Sequence, residues 1–393
     1  MPLALAALLL FGLLTLWVPS RWPLSLFEAG AFALALPYAL RIASAANPVR
    51  AGFPAFVLAA AAAWAALQLA LRSSAYPHAT FEALLYWAAA LALYFTARQL
   101  FEAPSLRRRF LRLLVYFAFA LSVLASLQYF SSQGKVFWLF PMPHATPLAT
   151  FPYKNDYAAF LELLLPIALF EALADRRRAL LFTVMAGSLY ASVILSASRA
   201  GAVLLTLEIL LVLLLSLLRR DLPGSTVRWV LSRAAVFAVI FTAIVGGQVL
   251  LGRFLQPDPY VGRRELLLSS IAMLRDRPWL GHGLGAWPDA YPAYALFDSG
   301  AYANHAHNDW AEWAAEGGLP FLLLMLALAL WTLRPAFRSL WGLGVPVFFT
   351  HCWVDYPTRR LPLAAVLVVL IAALAASRHA QAHSTPATDS GMT

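Results

Sequence analysis

The chain is 393 residues long, 62% hydrophobic and only 12% charged, with a formal net charge of +10. A soluble domain of this size carries roughly twice that share of charge. The apolar runs are continuous and not alternating, which excludes a transmembrane β-barrel. The positive balance fits arginines in loops facing anionic lipid better than a nucleic-acid surface, and a single cysteine, Cys352, leaves no internal disulfide.

About twelve apolar segments follow one another, at approximately 3–19, 24–45, 53–71, 80–98, 110–130, 157–174, 179–197, 200–218, 229–252, 319–333, 338–354 and 361–377. The expected fold is therefore an all-α polytopic membrane protein, one transmembrane domain over 1–377. The first segment has no basic residue ahead of it and reads as a membrane helix, not a cleaved signal. Residues 378–393 are rich in Ser, Thr and Ala and are expected to form a disordered tail. About 17 of the basic residues, from Arg41 to Arg378, fall in loops after even-numbered segments, against about seven on the other side outside one long loop. Long loops do not contribute to the positive-inside bias. Both termini are thus expected in the cytoplasm. The long loop, 253–318, is expected outside, in the periplasm of a Gram-negative bacterium, with short helices of its own.

Four polar stretches then fall on that outer face. "TFPYKNDYAAF" (Thr150 to Phe160), containing Asn155, opens the sixth segment. "SASRAG" (Ser196 to Gly201) is a tight turn between apolar flanks. Its Arg199 either snorkels to the interface or binds a phosphate, for which its planar fork is suited. "GRRELLLSSIAMLRDRPWLGHGLG" (Gly262 to Gly285) begins an amphipathic helix whose apolar face is expected to be Leu266, Leu267, Ile271 and Leu274. Arg263 and Arg264 oppose the helix dipole there, so they are either a solvated charge pair or part of an anion site with the free N–H groups of the first turn. The glycines after Pro278 match no phosphate-loop spacing and are expected to be structural.

The fourth stretch, "HAHNDWAEWAAEGGLP" (His305 to Pro320), reads as a short helix ending at Gly317 and Gly318. His307, Trp310 and Ala314 are expected on one face, and Glu312 and Glu316 on another. Histidine is the residue type here suited to proton transfer near neutral pH. An isolated loop histidine is usually just a satisfied hydrogen-bonding group, but here arginines share its membrane face. "HAHND" has H-x-H-x-D spacing, part of a metallohydrolase set, but Trp310 stands where a further ligand is needed and no metal is expected. Trp287, Tyr291, Tyr294, Tyr302, Trp310 and Trp313 either anchor the interface or stack on sugar rings. Glu162 and Glu208 lie within apolar helices, where a charge is costly, and either is a candidate partner for an arginine.

In order and sidedness these four stretches resemble the O-antigen ligase family, which also holds O-antigen polymerases and protein-directed oligosaccharyltransferases. "HCWVDYPTRRLP" (His351 to Pro362) is similar to that family's late helix-to-loop segment, so the resemblance covers roughly 140–365. The sequence departs from the ligase pattern in having Phe321 where a second glycine is usual, three residues after Gly318. The resemblance implies a GT-C-like, metal-independent, inverting glycosyltransferase without a cofactor. Its donor would be a glycan on undecaprenyl diphosphate. Its acceptor would be lipid A–core for a ligase, a growing glycan for a polymerase, or a protein Ser/Thr for the third group. Carried over, Arg199 and Arg263, with Arg264 assisting, hold the diphosphate, and His307 is the base. Asn308, Asp309 or Glu312 orient its imidazole, with Asn155 and His305 in support. A transporter is the rival from another class, but the polar residues gather at one face and not at the midplane, and no repeat is visible.

Overall fold

The computed structural model describes residues 1–44, 51–142, 147–219, 224–245, 248–255, 262–296, 300 and 302–383. Proline stands in the first turn of each of its first five helices, where a missing N–H costs nothing. The five are α1 (Pro2–Leu14), α2 (Trp22–Ala43), α3 (Phe53–Ala70), α4 (Pro77–Leu100) and α5 (Pro104–Ser131). A two-residue hairpin, β1 (Lys135–Val136) and β2 (Phe140–Pro141), precedes α6 (Lys154–Ala174). Then come α7 (Ala179–Ser196), α8 (Arg199–Arg219), α9 (Gly224–Val245), α10 (Gln248–Phe254), α11 (Arg263–Asp276), α12 (Trp287–Ala290), α13 (Asp309–Arg338), α14 (Gly344–His351) and α15 (Leu361–His383).

Among the described residues, eight helices, α2 to α8 and α13, are long and apolar enough to cross a bilayer, and Pro2–Leu14, Leu340–His351 and Leu361–Ser377 are shorter apolar stretches. This is an all-α polytopic membrane protein. The ninth expected segment falls on α9 and α10. The eleventh differs from expectation. Leu340–His351 at 1.5 Å per residue rises only about 18 Å, short of the roughly 30 Å hydrocarbon core. Gly344 lies so close to α6 that a Cβ there would come 2.3 Å from the Glu162 carbonyl oxygen. The last helix also runs past Ser377 to His383, so the expected tail starts as helix, and 384–393 lie outside the described residues.

Helix α6 is the central post. Nearly every residue from Asp156 to Leu173 is buried, against α5, α7, α8 and α14. Its far end is held by charge. Arg108 and Arg112 of α5 both bond the Glu171 carboxylate, at 2.8 and 2.7 Å, and Arg112 also reaches Asp175 at 3.0 Å. Its near end carries Lys154 and Asn155, beside the α7–α8 turn, the starts of α13 and α15 and the end of α14.

The tenth segment is part of α13, which begins ten residues earlier and breaks at Gly318 (φ 70°, ψ −174°), a region open essentially to glycine alone. The break leaves backbone groups unpaired within the helix, and the glycine turn after α11 takes them up. Leu319 N–H donates to Pro278 O at 2.8 Å, His282 N–H to Ala315 O at 3.0 Å, and Gly283 N–H to Glu316 O at 2.9 Å. Buried Gln68 of α3 clamps both sides, donating to Leu280 O and Glu316 O and accepting from Leu284 N–H. This is the structural role expected of those glycines. A Cβ on Gly281 (φ +66°) would stand 2.2 Å from Glu316 O. Gly281→Ala is expected to cost about 3 kcal/mol through strain and overlap, read as a lower melting temperature in detergent. An unchanged value would mean the turn relaxes freely.

Candidate functional site

Three of the four polar stretches meet at a carboxylate in the loop between α14 and α15. Asp355 is buried. Its Oδ1 lies 3.3 Å from His307 Nδ1. Its Oδ2 accepts from Arg263 Nη2 at 3.2 Å and from the Asn155 side-chain amide. Arg263 also donates from Nη1 to Val354 O at 2.7 Å. The other end of Asn155 accepts from Ser198 Oγ at 2.8 Å, and Lys154 Nζ donates to Ala197 O at 3.2 Å. That ties the entry of α6 to the "SASRAG" turn, which Ala197 makes in the left-handed conformation (φ 52°). Arg199 is the next residue after Ser198 and starts α8.

Burial alone would push the Asp355 carboxyl up, but the hydrogen bond from His307 and the positive charge of Arg263 outweigh it and hold it below the usual carboxylate range. A depressed carboxylate stabilises the fold above its unfolded pKa, near 3.9, and loses that contribution as the pH falls through the lower folded value. The stability gap between wild type and Asp355→Asn is therefore expected to be constant above about pH 5 and to close below about pH 4. Denaturation in detergent across pH 3–7 measures it, and a gap that widens in acid would reverse the assignment.

His307 is not on the helix face expected for it. It precedes the N-cap, Asn308, with φ 52°, a conformation uncommon outside glycine. Asn308 Oδ1 accepts from Ala311 N–H at 3.0 Å, a regular cap. The next N–H, of Asp309, is shared by Cys352 O and Asp355 O at 2.9 and 3.1 Å. The residues expected to orient the imidazole are thus otherwise engaged, and Asp355 takes that place. Asp309 accepts from Thr358 N–H at 3.1 Å. Glu312 binds His305 Nδ1 at 2.9 Å and Ala306 N–H at 3.1 Å. The two histidines of "HAHND" turn to different carboxylates, with the Tyr356 ring between them. His305 stacks on it at 4.2 Å, and His307 meets it edge-on at 4.9 Å.

A cavity of about 290 Å³ opens beside this hub, lined by Arg263, Arg264, Leu267, His307, Asn308, Trp353 and Val354. Arg263 and exposed Arg264 form the first turn of α11, whose N-cap Gly262 offers no side-chain cap. The lining fits an anion, since two guanidinium groups and a helix N-terminus converge on it. Arg199 is not part of this lining. The buried face of α11 is Ser269, Ser270 and Met273, not the leucine face expected, because Trp287 packs there and donates to Ser270 Oγ at 3.0 Å. Leu267 is left to line the cavity.

A second charged cluster lies behind the first. Arg359 reaches Glu316 at 2.8 Å, Glu312 at 3.3 Å and Asp309 at 3.4 Å. Burial alone would lower the Arg359 pKa, and the carboxylates of Glu312, Glu316 and Asp309 reverse that and raise it. Deeper still, Glu162 pairs with His351 at 2.8 Å, both fully buried, so its partner is a histidine and not an arginine. Glu208 has no hydrogen-bond partner among the described residues. Of the aromatics, Trp287 stacks on Tyr291 at 4.6 Å, Trp310 and Trp313 are buried, and Tyr302 is exposed.

Asp355 and Arg359 are functional candidates that sequence reasoning did not single out. Their signal is the polar run "DYPTRR" between two apolar segments, inside the stretch noted as similar to the late family segment.

Residues 180–326 match the family model described as O-antigen ligase. No curated protein matches the chain. The matched region runs from α7 into α13 and holds Arg199, Arg263, Arg264, His305, His307 and Glu312, while Asn155, Asp355 and Arg359 lie outside it. The match supports the resemblance drawn from the motifs: this part of the protein is similar to the O-antigen ligase family.

Proposed function

We propose that the protein is a metal-independent, inverting glycosyltransferase that moves a glycan from undecaprenyl diphosphate to an acceptor hydroxyl, and that its reaction is O-antigen ligation to lipid A–core. The observation that carries this reading is His307, held by Asp355 at a cavity whose other wall is Arg263 and Arg264. With Nδ1 donating to Asp355, His307 Nε2 is left to accept the acceptor's proton. The acceptor oxygen then bonds to the anomeric carbon, the carbon–oxygen bond to the diphosphate breaks, and the diphosphate leaves with the electron pair. Asp355 steadies the imidazolium so formed. Arg263 and Arg264, with Arg199, counter the charge on the leaving group, so the reaction needs no cation. The arginine bias supports a reading with this end of the bundle in the periplasm and both termini in the cytoplasm of the inner membrane.

The test is transfer by purified protein in EDTA, with a polyprenyl-diphosphate glycan as donor and either lipid A–core or more donor as acceptor. Transfer to lipid A–core is expected. Chain growth on donor alone would make the protein a polymerase, and no transfer to either would overturn the reading. In the same assay Arg263→Ala is expected to lose about 10²–10³-fold in rate, because it removes a diphosphate contact and also the partner of Asp355. Arg264→Ala, exposed at the rim, is expected to lose about tenfold or less. Equal losses would mean that the two arginines share the contact.

A further inference from the structure

A second cavity, about 260 Å³, shares no lining residue with the arginine-lined one, and His305, stacked on Tyr356, is in its wall. Its walls come from the starts of α2 and α4, the glycine turn, the start of α13 and the Thr358–Arg359 turn. Three features describe what it takes. Tyr86, Trp87 and Trp313 give it flat apolar walls. The Thr358 hydroxyl and Arg359 Nη2 are buried polar groups on lining residues with no hydrogen bond among the described residues, and such groups ordinarily have a partner. Its charged lining is Glu28, Glu82, Glu312 and Glu316 against Arg21 and Arg359. Four carboxyl groups against two guanidinium groups disfavour an anion, and the arginines are already engaged: Arg21 by Glu28 at 3.1 Å and Glu82 at 3.0 Å, Arg359 by its own carboxylates.

We infer that this cavity is the acceptor subsite and that it holds an uncharged, hydroxyl-rich sugar ring, not a phosphorylated one. The inference rests on the proposed inverting transfer. In-line displacement puts the attacking hydroxyl and the leaving diphosphate on opposite sides of the anomeric carbon. The arginine cavity, with His307 in its wall, takes the diphosphate, so the acceptor is assigned to the cavity that has His305 in its wall. Sugar faces stack on the aromatic walls, and sugar hydroxyls bond Thr358, Arg359 and the carboxylates. The Tyr356 ring touches both His305 and His307, so the wall of this cavity is in contact with the base.

Ala83 lines the cavity and is only partly buried, so Ala83→Trp fills the space from a wall that carries no charge. The probes are the core oligosaccharide freed from the host's lipopolysaccharide and dephosphorylated, the same oligosaccharide with its phosphates, and undecaprenyl diphosphate. Binding to the full chain in detergent is followed by saturation-transfer NMR. The dephosphorylated oligosaccharide is expected to bind wild type at least tenfold more tightly than Ala83→Trp, and more tightly than the phosphorylated form. Undecaprenyl diphosphate is expected to bind both proteins equally, which also shows that the variant is folded. Glu82→Lys is expected to bring the phosphorylated probe to within a few fold of the neutral one. No binding of the neutral probe to wild type, equal binding to Ala83→Trp, or preference for the phosphorylated form in wild type would overturn the inference. Failure of undecaprenyl diphosphate to bind either protein would instead count against the donor reading, with the sugar arms still reporting on this cavity.

Discussion

His307→Ala is expected to lower the rate of glycan transfer by about three to four orders of magnitude, while His305→Ala weakens it by about tenfold. The two histidines are the same residue type only two positions apart, so the contrast is a sharp one. It follows from their partners. His307 lines the arginine cavity and has its Nδ1 against Asp355, leaving Nε2 for the substrate. His305 has its Nδ1 on Glu312 and its face on Tyr356, and lines the other cavity. A base must hold the correct tautomer as well as the correct place. Asp355→Asn is therefore expected to lose about 10²–10⁴-fold in rate although it preserves shape, since an amide neither fixes the proton on Nδ1 nor steadies the imidazolium. The measurement is single-turnover transfer at saturating donor, with undecaprenyl diphosphate binding as the control for folding. If His305→Ala abolished transfer and His307→Ala only weakened it, the assignment of the base would be wrong.

Most of this architecture was legible in the sequence, and the parts that were not share a cause. Long apolar runs announce helices because the bilayer demands about 20 apolar residues in a row. That rule placed α2 to α8 well, and it gives shorter apolar helices at Pro2–Leu14, Leu340–His351 and Leu361–Ser377. The break at Gly318 was visible as a glycine pair between a short helix and an apolar segment, but its support was not, since those hydrogen bonds come from the turn at 278–283. The site shows the same division. Arg199, Arg263, His307 and Asn155 stood out because charge and amide groups at the edge of apolar segments are unusual. Asp355 did not, because what distinguishes it is convergence: its partners His307, Arg263 and Asn155 are 48, 92 and 200 residues away. A loop carboxylate acquires meaning only when folding surrounds it.

The same reasoning predicts that Arg359→Met is the most destabilising single change near the site. Arg359 is the cation shared by Asp309, Glu312 and Glu316, all of them buried. Removing one partner of a buried pair typically costs about 3–5 kcal/mol, because the remaining charge is left in a medium that cannot solvate it. Here three carboxyl groups lose their common counter-charge at once. The first turns of α13 are hung on that cluster, and His307 is set by where those turns begin. Arg359→Met is therefore expected to lower the melting temperature steeply and to reduce the yield of folded protein, with transfer lost as a consequence. Two further variants separate charge from shape. Arg359→Lys keeps the charge but has one nitrogen where the guanidinium has three, so it is expected to fall between wild type and Arg359→Met. Arg359→Met combined with Glu316→Gln removes the acid that Arg359 holds most closely, at 2.8 Å, and is expected to recover part of the lost stability, a positive coupling in a double-mutant cycle. An Arg359→Met protein that melts with wild type would show that the three carboxyl groups do not depend on Arg359, and strictly additive losses in the double mutant would show that Glu316 is held by something else.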